Sequence, residues 1–101
     1  TFTETDLDRY RAAWDRERGV TGMVNWYRAL FQHPEDPPRE RVEAPTLVIW
    51  GERDTYLLSK MAPESIEYCE DGRLERIPEG THWVHHEHPK QVTEQLLEHL
   101  Q

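Results

Sequence analysis

The sequence predicts an α/β chain in which two helices precede a pair of parallel strands and the helices that flank them. Apolar residues recur at helical spacing before residue 33, and a proline-rich, acidic stretch over residues 33–38 ends that spacing. A short β-branched run at residues 46–50 follows and opens a β-α-β-α order. This order is typical of parallel strands joined by a helix.

The first two helices are predicted from caps and apolar stripes. One is expected from Thr3 or Thr5 to about Arg18, with Gly19 as its stop. Its stripe consists of Leu7, Tyr10 and Trp14. The second is expected over residues 21–32, because a second stripe has the same spacing. That stripe contains Met23, Tyr27 and Leu30, with Trp26 beside it.

The elements after residue 38 are predicted from the change in periodicity. Residues 46–50 form a continuous apolar run ended by Gly51, which indicates a strand buried on both faces. A helix is predicted over residues 59–69, a more polar outer strand over 73–77, and a closing helix over 89–100. Two strands cannot cover both faces of the first one, so we expect the sheet to continue in protein outside this chain.

Composition excludes several classes of partner. The 101 residues carry 20 acidic and 12 basic side chains, a net charge of −8, which does not suit nucleic acid or an anionic membrane. The longest apolar run, residues 47–50, is far shorter than the roughly 20 residues of a membrane span. Cys69 is the single cysteine, so no intrachain disulfide can form, and we expect a reducing, cytoplasmic setting. No cofactor is expected.

Two side chains follow the predicted strands at the edge where parallel sheets bind ligands. Asp54 comes just after the first strand and His82 just after the second, one crossover unit later. Each alone is ordinary, since an Asp can cap a turn and a His can be a loop residue. Together they favour a catalytic pair, in which the acid orients the base and stabilises its imidazolium.

These segments resemble the α/β-hydrolase superfamily. Residues 44–54, APTLVIWGERD, are similar to its late strand and triad acid, and residues 80–84 with 87–89 are similar to its histidine loop and final helix. The resemblance implies the chain order nucleophile, acid, histidine. Ser59 and Ser65 are the only serines, and neither lies in Gly-x-Ser-x-Gly. We therefore expect a C-terminal hydrolase fragment, inactive alone, whose partner is the missing N-terminal part.

The domain organisation expected from this resemblance has two parts. Residues 1–36 are expected to be the end of a helical cap, and residues 37–101 the end of the hydrolase core. Residues 21–29, TGMVNWYRA, resemble the cap helix of epoxide hydrolases, in which the matching tyrosine donates a hydrogen bond to the epoxide oxygen. This resemblance implies that role for Tyr27 and a small-molecule epoxide as substrate. We predict Trp26 and Trp83 as substrate-binding residues.

Other functions remain open at this point. A haloalkane or haloacetate dehalogenase, a Ser esterase or a lactonase could use the same fold, and Trp26 and Tyr27 could be aromatic packing between cap helices. The chain could also be a non-catalytic binding or dimerisation module, and a homo-oligomer is compatible with the sequence.

The histidines near the end of the chain invite a metal hypothesis, which we reject. His82, His85, His86 and His88 have spacings that could share a cation on a helix. No cysteine lies near them and Pro89 follows, so we predict a loop of solvated imidazoles and no metal site.

Overall fold

The computed structural model describes residues 2–36 and 40–101. The chain divides into two compact units, Thr1–Pro38 and Arg39–Gln101, and each is described by itself. The first contains two helices, α1 (Glu4–Trp14) and α2 (Gly19–Gln32). The second contains β1 (Thr46–Gly51), α3 (Met61–Glu67), β2 (Gly72–Ile77), α4 (Val84–Glu87) and α5 (Pro89–His99).

Helix α1 begins with a reciprocal cap. The Thr3 hydroxyl accepts from the Asp6 backbone N–H at 3.2 Å, and the Asp6 carboxylate accepts from the Thr3 N–H at 3.0 Å. Two backbone donors that the helix itself cannot satisfy are thus paired. The Tyr10 ring packs against Phe2 and Trp14, with centroids 5.9 Å from each. Thr3, rather than Thr5, is the cap.

The turn between the helices differs from the prediction, because α1 ends at Trp14 and Gly19 opens α2 instead of closing α1. The left-handed residue of the turn is Arg18, with φ 62°. Gly19 is required for another reason, since a Cβ there would lie 2.8 Å from the carbonyl oxygens of Ala13 and Trp14. The chain reverses too tightly at this point for any side chain.

Helix α2 ends where proline was expected to end it. The His33 N–H donates to the Ala29 carbonyl at 2.9 Å, and residues 34–36 have no regular structure. Pro37 and Pro38, the rest of the predicted linker, lie outside the described residues.

The second unit has the predicted α/β fold. Strands β1 and β2 are parallel, in a register that runs from Thr46 opposite Gly72 to Gly51 opposite Ile77. Helix α3 contacts both strands, and α5 contacts β1. Helix α3 is shorter than the predicted 59–69, because the backbone bonds from Ala62 to Ser59 and from Cys69 to Ile66 span three residues. Pro89 starts α5, where its missing N–H costs nothing.

Strand β1 is incompletely covered within this chain, as expected for a strand whose described sheet has only two members. Residues 46–50 are half-buried, because the two strands of the described sheet do not cover both of their faces. Among the described hydrophobic residues, only Ala62 and Ile77 are fully buried. The buried indole N–H of Trp50 has no hydrogen-bond partner within residues 2–36 and 40–101. In the same ranges no helix is long and apolar enough to cross a membrane.

Candidate active site

Two glycines bring the loops after β1 and β2 together. A Cβ on Gly51 would lie 2.6 Å from the Gly80 carbonyl oxygen and still closer to that of Thr81. A Cβ on Gly80 would lie 2.6 Å from a Val84 methyl carbon and 3.3 Å from the Cα of Gly51. The two backbones therefore touch without intervening side chains. Because the strands are parallel and in register, both loops leave the same edge of the sheet.

Backbone hydrogen bonds and one ion pair also join the two loops. The Arg53 N–H donates to the Gly80 carbonyl at 2.9 Å, and the Glu52 N–H donates to the Ile77 carbonyl at 3.1 Å. The Arg53 guanidinium pairs with Glu79 at 2.6 Å. This ion pair is exposed and adds little free energy, whereas the backbone bonds define how the loops are aligned.

Asp54 lies in the first loop with both carboxylate oxygens engaged. Its Oδ1 accepts from the backbone N–H groups of Tyr56 and Leu57 at 2.8 and 2.9 Å, and its Oδ2 lies 2.9 Å from His82 Nδ1. The side chain is only 8% exposed. Burial acts to raise the pKa of Asp54, but the bonds from Leu57, His82 and Tyr56 outweigh it and lower that pKa. Asp54 is therefore a carboxylate at neutral pH.

His82 lies in the second loop, with its ring oriented by Asp54. An ionised carboxylate can only accept, so Nδ1 carries the proton of the 2.9 Å bond, and Nε2 takes no part in it. The side chain is 38% exposed, which leaves the imidazole accessible. Its ring stands between two others, Tyr56 at 5.2 Å and Trp83 at 5.5 Å, both edge to face. In the neutral imidazole this arrangement leaves the Nε2 lone pair to accept a proton.

The segment after His82 is not the loop that the sequence predicted. Residues His85 and His86 lie in the one-turn helix α4, and His88 joins α4 to α5. The turn is closed by Glu87, whose carboxylate accepts from the Thr81 N–H and hydroxyl at 2.9 and 2.6 Å. Pro89 does not prevent this turn, because it stands after the turn has ended. No group of three or more potential metal ligands lies together in the described residues.

The other predicted site residues lie in both units. Trp83 is next to the His82 ring in the second unit. Trp26 and Tyr27 are on α2, in the first unit, with 76% and 64% of their surface exposed. They line an open surface depression with Met23 and Gly22. Their predicted roles in substrate binding stay predictions.

Neither serine has the position of a nucleophile beside His82. The Ser65 hydroxyl donates to the Met61 carbonyl at 2.7 Å, inside α3, and the Ser59 hydroxyl lies 3.5 Å from the Glu52 carbonyl. Sequence reasoning did not anticipate Tyr56, whose backbone binds Asp54 and whose ring contacts His82. The one available signal was its place two residues after the acid, where an Asx turn directs a backbone N–H at the carboxylate.

This geometry, an acid and a histidine joined across neighbouring strand ends, agrees with the family comparison. The sequence profile described as the alpha/beta hydrolase fold matches residues 3–89. The chain belongs to the α/β-hydrolase fold family. The predicted fold class is thereby confirmed.

The relatives with similar sequences include several proteins named as epoxide hydrolases. The chain is 41% identical over 101 residues to the AB hydrolase superfamily protein YfhM of Bacillus subtilis, covering 98% of this chain and 35% of that protein. It is 34% identical over 92 residues to epoxide hydrolase 2 of Caenorhabditis elegans, covering 90% of this chain and 26% of that protein. The chain thus spans about a quarter to a third of the length of these relatives. They support the predicted resemblance to epoxide hydrolases.

A solved structure shares the fold. The crystal structure of a point mutant of an epoxide hydrolase from Bacillus megaterium superimposes with a TM-score of 0.81 and 23% identity, covering 98% of this chain and 38% of that one. At this identity the likeness concerns the fold alone.

The contact between the glycine loops leads to a stability prediction. In the complete gene product that contains this chain, Gly51→Ala should lower the free energy of unfolding by on the order of 2–4 kcal/mol, because the added methyl group meets backbone oxygens. Gly22→Ala is the matched control. Its Cβ meets nothing within 4 Å in α2, so it should stabilise by about 0.5–1 kcal/mol. Urea unfolding measures both, and an unchanged Gly51→Ala variant would show that the loops separate freely.

The lowered pKa of Asp54 leads to a prediction about acid. A carboxyl whose folded pKa lies below its unfolded value contributes stability above the unfolded value, about 4, and that contribution disappears as the pH falls through the folded pKa. Unfolding free energy should therefore decrease between about pH 5 and pH 3, with a smaller slope in Asp54→Asn. Urea unfolding of both proteins across this pH range measures the slopes. Equal slopes in the two proteins would contradict this prediction.

Proposed function

We propose that this chain supplies the acid and the histidine of the catalytic triad of an epoxide hydrolase-like α/β-hydrolase. The observation that carries the proposal is the 2.9 Å bond between His82 Nδ1 and Asp54 Oδ2, formed where two neighbouring parallel strands end. The names of the relatives support epoxides as substrates. The nucleophile is proposed to lie on a segment that precedes these residues in the complete enzyme, consistent with the small share of the relatives' length that this chain spans.

In the proposed first step, a carboxylate of the preceding segment attacks an epoxide carbon. A C–O bond of the three-membered ring breaks as the ester bond forms, and the ring oxygen becomes an alkoxide. Tyr27 is the proposed hydrogen-bond donor to this oxygen, because a phenol stabilises the negative charge as it develops. Trp26 and Trp83 are proposed to contact the apolar part of the substrate. The exposure of Trp26 and Tyr27 on α2 is compatible with these roles.

In the proposed second step, His82 acts on water. Nε2 removes a proton as the water oxygen attacks the ester carbonyl, and collapse of the intermediate breaks the ester bond to the substrate oxygen. The two protons of the water end on the two oxygens of the diol, one of them passed on by the His82 imidazolium, which restores the neutral imidazole and the carboxylate. The imidazolium formed at His82 is stabilised by Asp54, which the backbone N–H groups of Tyr56 and Leu57 keep ionised and fixed. The two bonds to Oδ1 leave Oδ2 for the histidine.

The division of labour between the steps leads to an adduct prediction. His82→Gln in the complete gene product should still allow ring opening but leave the ester unhydrolysed, because Gln cannot take the proton from water. Incubation with styrene oxide should then give protein heavier by one substrate molecule, as intact mass spectrometry measures. His85→Gln, the same substitution on the exposed neighbouring helix α4, should turn over normally and accumulate no adduct.

The same measurement separates the alternative enzymes. A Ser esterase requires the histidine to activate its nucleophile, so His82→Gln should carry no adduct. A dehalogenase should trap a haloalkane with loss of halide and leave the epoxide untouched. Absence of an adduct from styrene oxide and from a panel of terminal and internal epoxides would refute the proposed function.

The role of Tyr27 is tested by removal of one oxygen atom. Tyr27→Phe should slow ring opening by roughly tenfold to a thousandfold, with a smaller loss if a second donor shares the charge, because the alkoxide loses a hydrogen bond. Single-turnover kinetics of ester formation measures this step. Tyr10→Phe on α1 is the matched control, since the Tyr10 ring packs between Phe2 and Trp14 and should leave the rate unchanged. A Tyr27→Phe rate within about twofold of wild type, with lower thermal stability, would make Tyr27 a packing residue.

A further inference from the structure

The Glu87 carboxylate turns back onto the residue that precedes His82. One oxygen, Oε1, accepts from both the Thr81 N–H at 2.9 Å and the Thr81 hydroxyl at 2.6 Å. Glu87 is the last residue of α4, so this helix spans the distance between His82 and the carboxylate. The bonds are part-buried, and they hold the pKa of Glu87 below its ordinary value. The group is thus a charged acceptor at neutral pH.

The direction of the Thr81 hydroxyl follows from that charge. The Thr81 hydroxyl donates its proton to the Glu87 carboxylate, so the lone pairs of the hydroxyl oxygen face other donors. That oxygen accepts a hydrogen bond from the Trp83 backbone N–H at 3.2 Å. The residues on both sides of His82 are therefore bound through one hydroxyl, and Glu87 sets the orientation of that hydroxyl. A short bond to a carboxylate is stronger than one between neutral groups. The backbone of His82 is held at both flanks, while Asp54 holds its ring.

A structural role alone would explain why the Glu87 carboxylate closes a turn. Two features indicate that it also positions His82. The bonds converge on the residues immediately before and after His82, and do not extend into α5. The Asp54 contact is a single bond from the ring, so the position of the His82 backbone decides whether Nδ1 reaches Oδ2. A shift of about 1 Å in the loop would be enough to lose it.

We infer that Glu87, acting through Thr81, is a positioning residue that keeps the proton of His82 on Nδ1 and the lone pair on Nε2. The inference rests on the proposed function in that His82 is the base of the second step. It predicts that the state of the imidazole depends on a side chain that does not touch it.

The test is nitrogen NMR of the complete gene product labelled with ¹⁵N-histidine, with His82→Gln used to assign the His82 signals. In the wild type the two ring nitrogens should give the widely separated signals of one tautomer. Glu87→Ala and Thr81→Val should each bring the two signals together and abolish the Nδ1 proton resonance, because both variants release the loop. Glu87→Gln should rescue most of the separation, since its carbonyl oxygen can accept the same two bonds.

Two controls separate positioning from general stability. Ala62→Gly destabilises the buried residue of α3 without touching the loop, so its His82 signals should match those of the wild type. Glu94→Ala removes the same charge from exposed α5 and should also leave them unchanged. Two results would overturn the inference. One is a folded Glu87→Ala protein whose His82 signals match those of the wild type. The other is an Ala62→Gly protein whose two His82 nitrogen signals come together as much as those of Glu87→Ala.

Kinetic measurements test whether the His82 tautomer seen by NMR affects the reaction. Glu87→Ala should slow hydrolysis of the ester by roughly tenfold to a hundredfold and leave ring opening within about twofold, because only the second step uses the base. Unchanged hydrolysis of an ester that the wild type does form would overturn the inference. If the wild type forms no ester from any epoxide, the proposed function fails while the NMR result still decides whether Glu87 positions His82.

Discussion

The contact between the backbones of Gly51 and Gly80 is the constraint on which the site depends. Two parallel strands in register deliver their loops to the same edge, but the side chains of ordinary residues would keep those loops apart. With no Cβ at either position, the chain after β1 lies directly against the chain after β2, and the Arg53 N–H reaches the Gly80 carbonyl. The distance between Asp54 and His82 is a consequence of this contact.

The orientation of His82 comes from acceptors on two sides. Asp54 binds the ring and is itself held by backbone N–H groups, while Glu87 binds Thr81, which holds the backbone next to the ring. In a chain of net charge −8, each of these carboxylates is stabilised by local hydrogen bonds that lower its pKa. For both carboxylates, hydrogen bonds from local donors lower the pKa more than the charge of a nearby histidine does.

Much of the fold could be predicted because it depends on local signals, and the parts that could not depend on contacts between segments. The apolar run at residues 46–50 and the β-α-β-α order define parallel strands, and strand order alone brings Asp54 and His82 to one edge. Helix α4 escaped prediction because Glu87 closes it through a bond to Thr81, six residues away. Gly19 was misassigned because its role is a close approach to the end of α1, which periodicity does not reveal. The catalytic roles remain predictions, since they involve groups beyond this pair.

The Asp54–His82 pair does not by itself identify the substrate. Every contact that orients His82 lies within residues 51–87, and none of them would change if the nucleophile were an aspartate or a serine. Under the proposed function, substrate choice is therefore assigned to the nucleophile and to groups such as Tyr27, which belongs to the first unit. A phenol is useful for an opening epoxide and dispensable for an ester that already has an oxyanion site. Under the proposed function, the identity of the reaction therefore depends on the proposed donor Tyr27 more than on the histidine that the rest of the site holds in place.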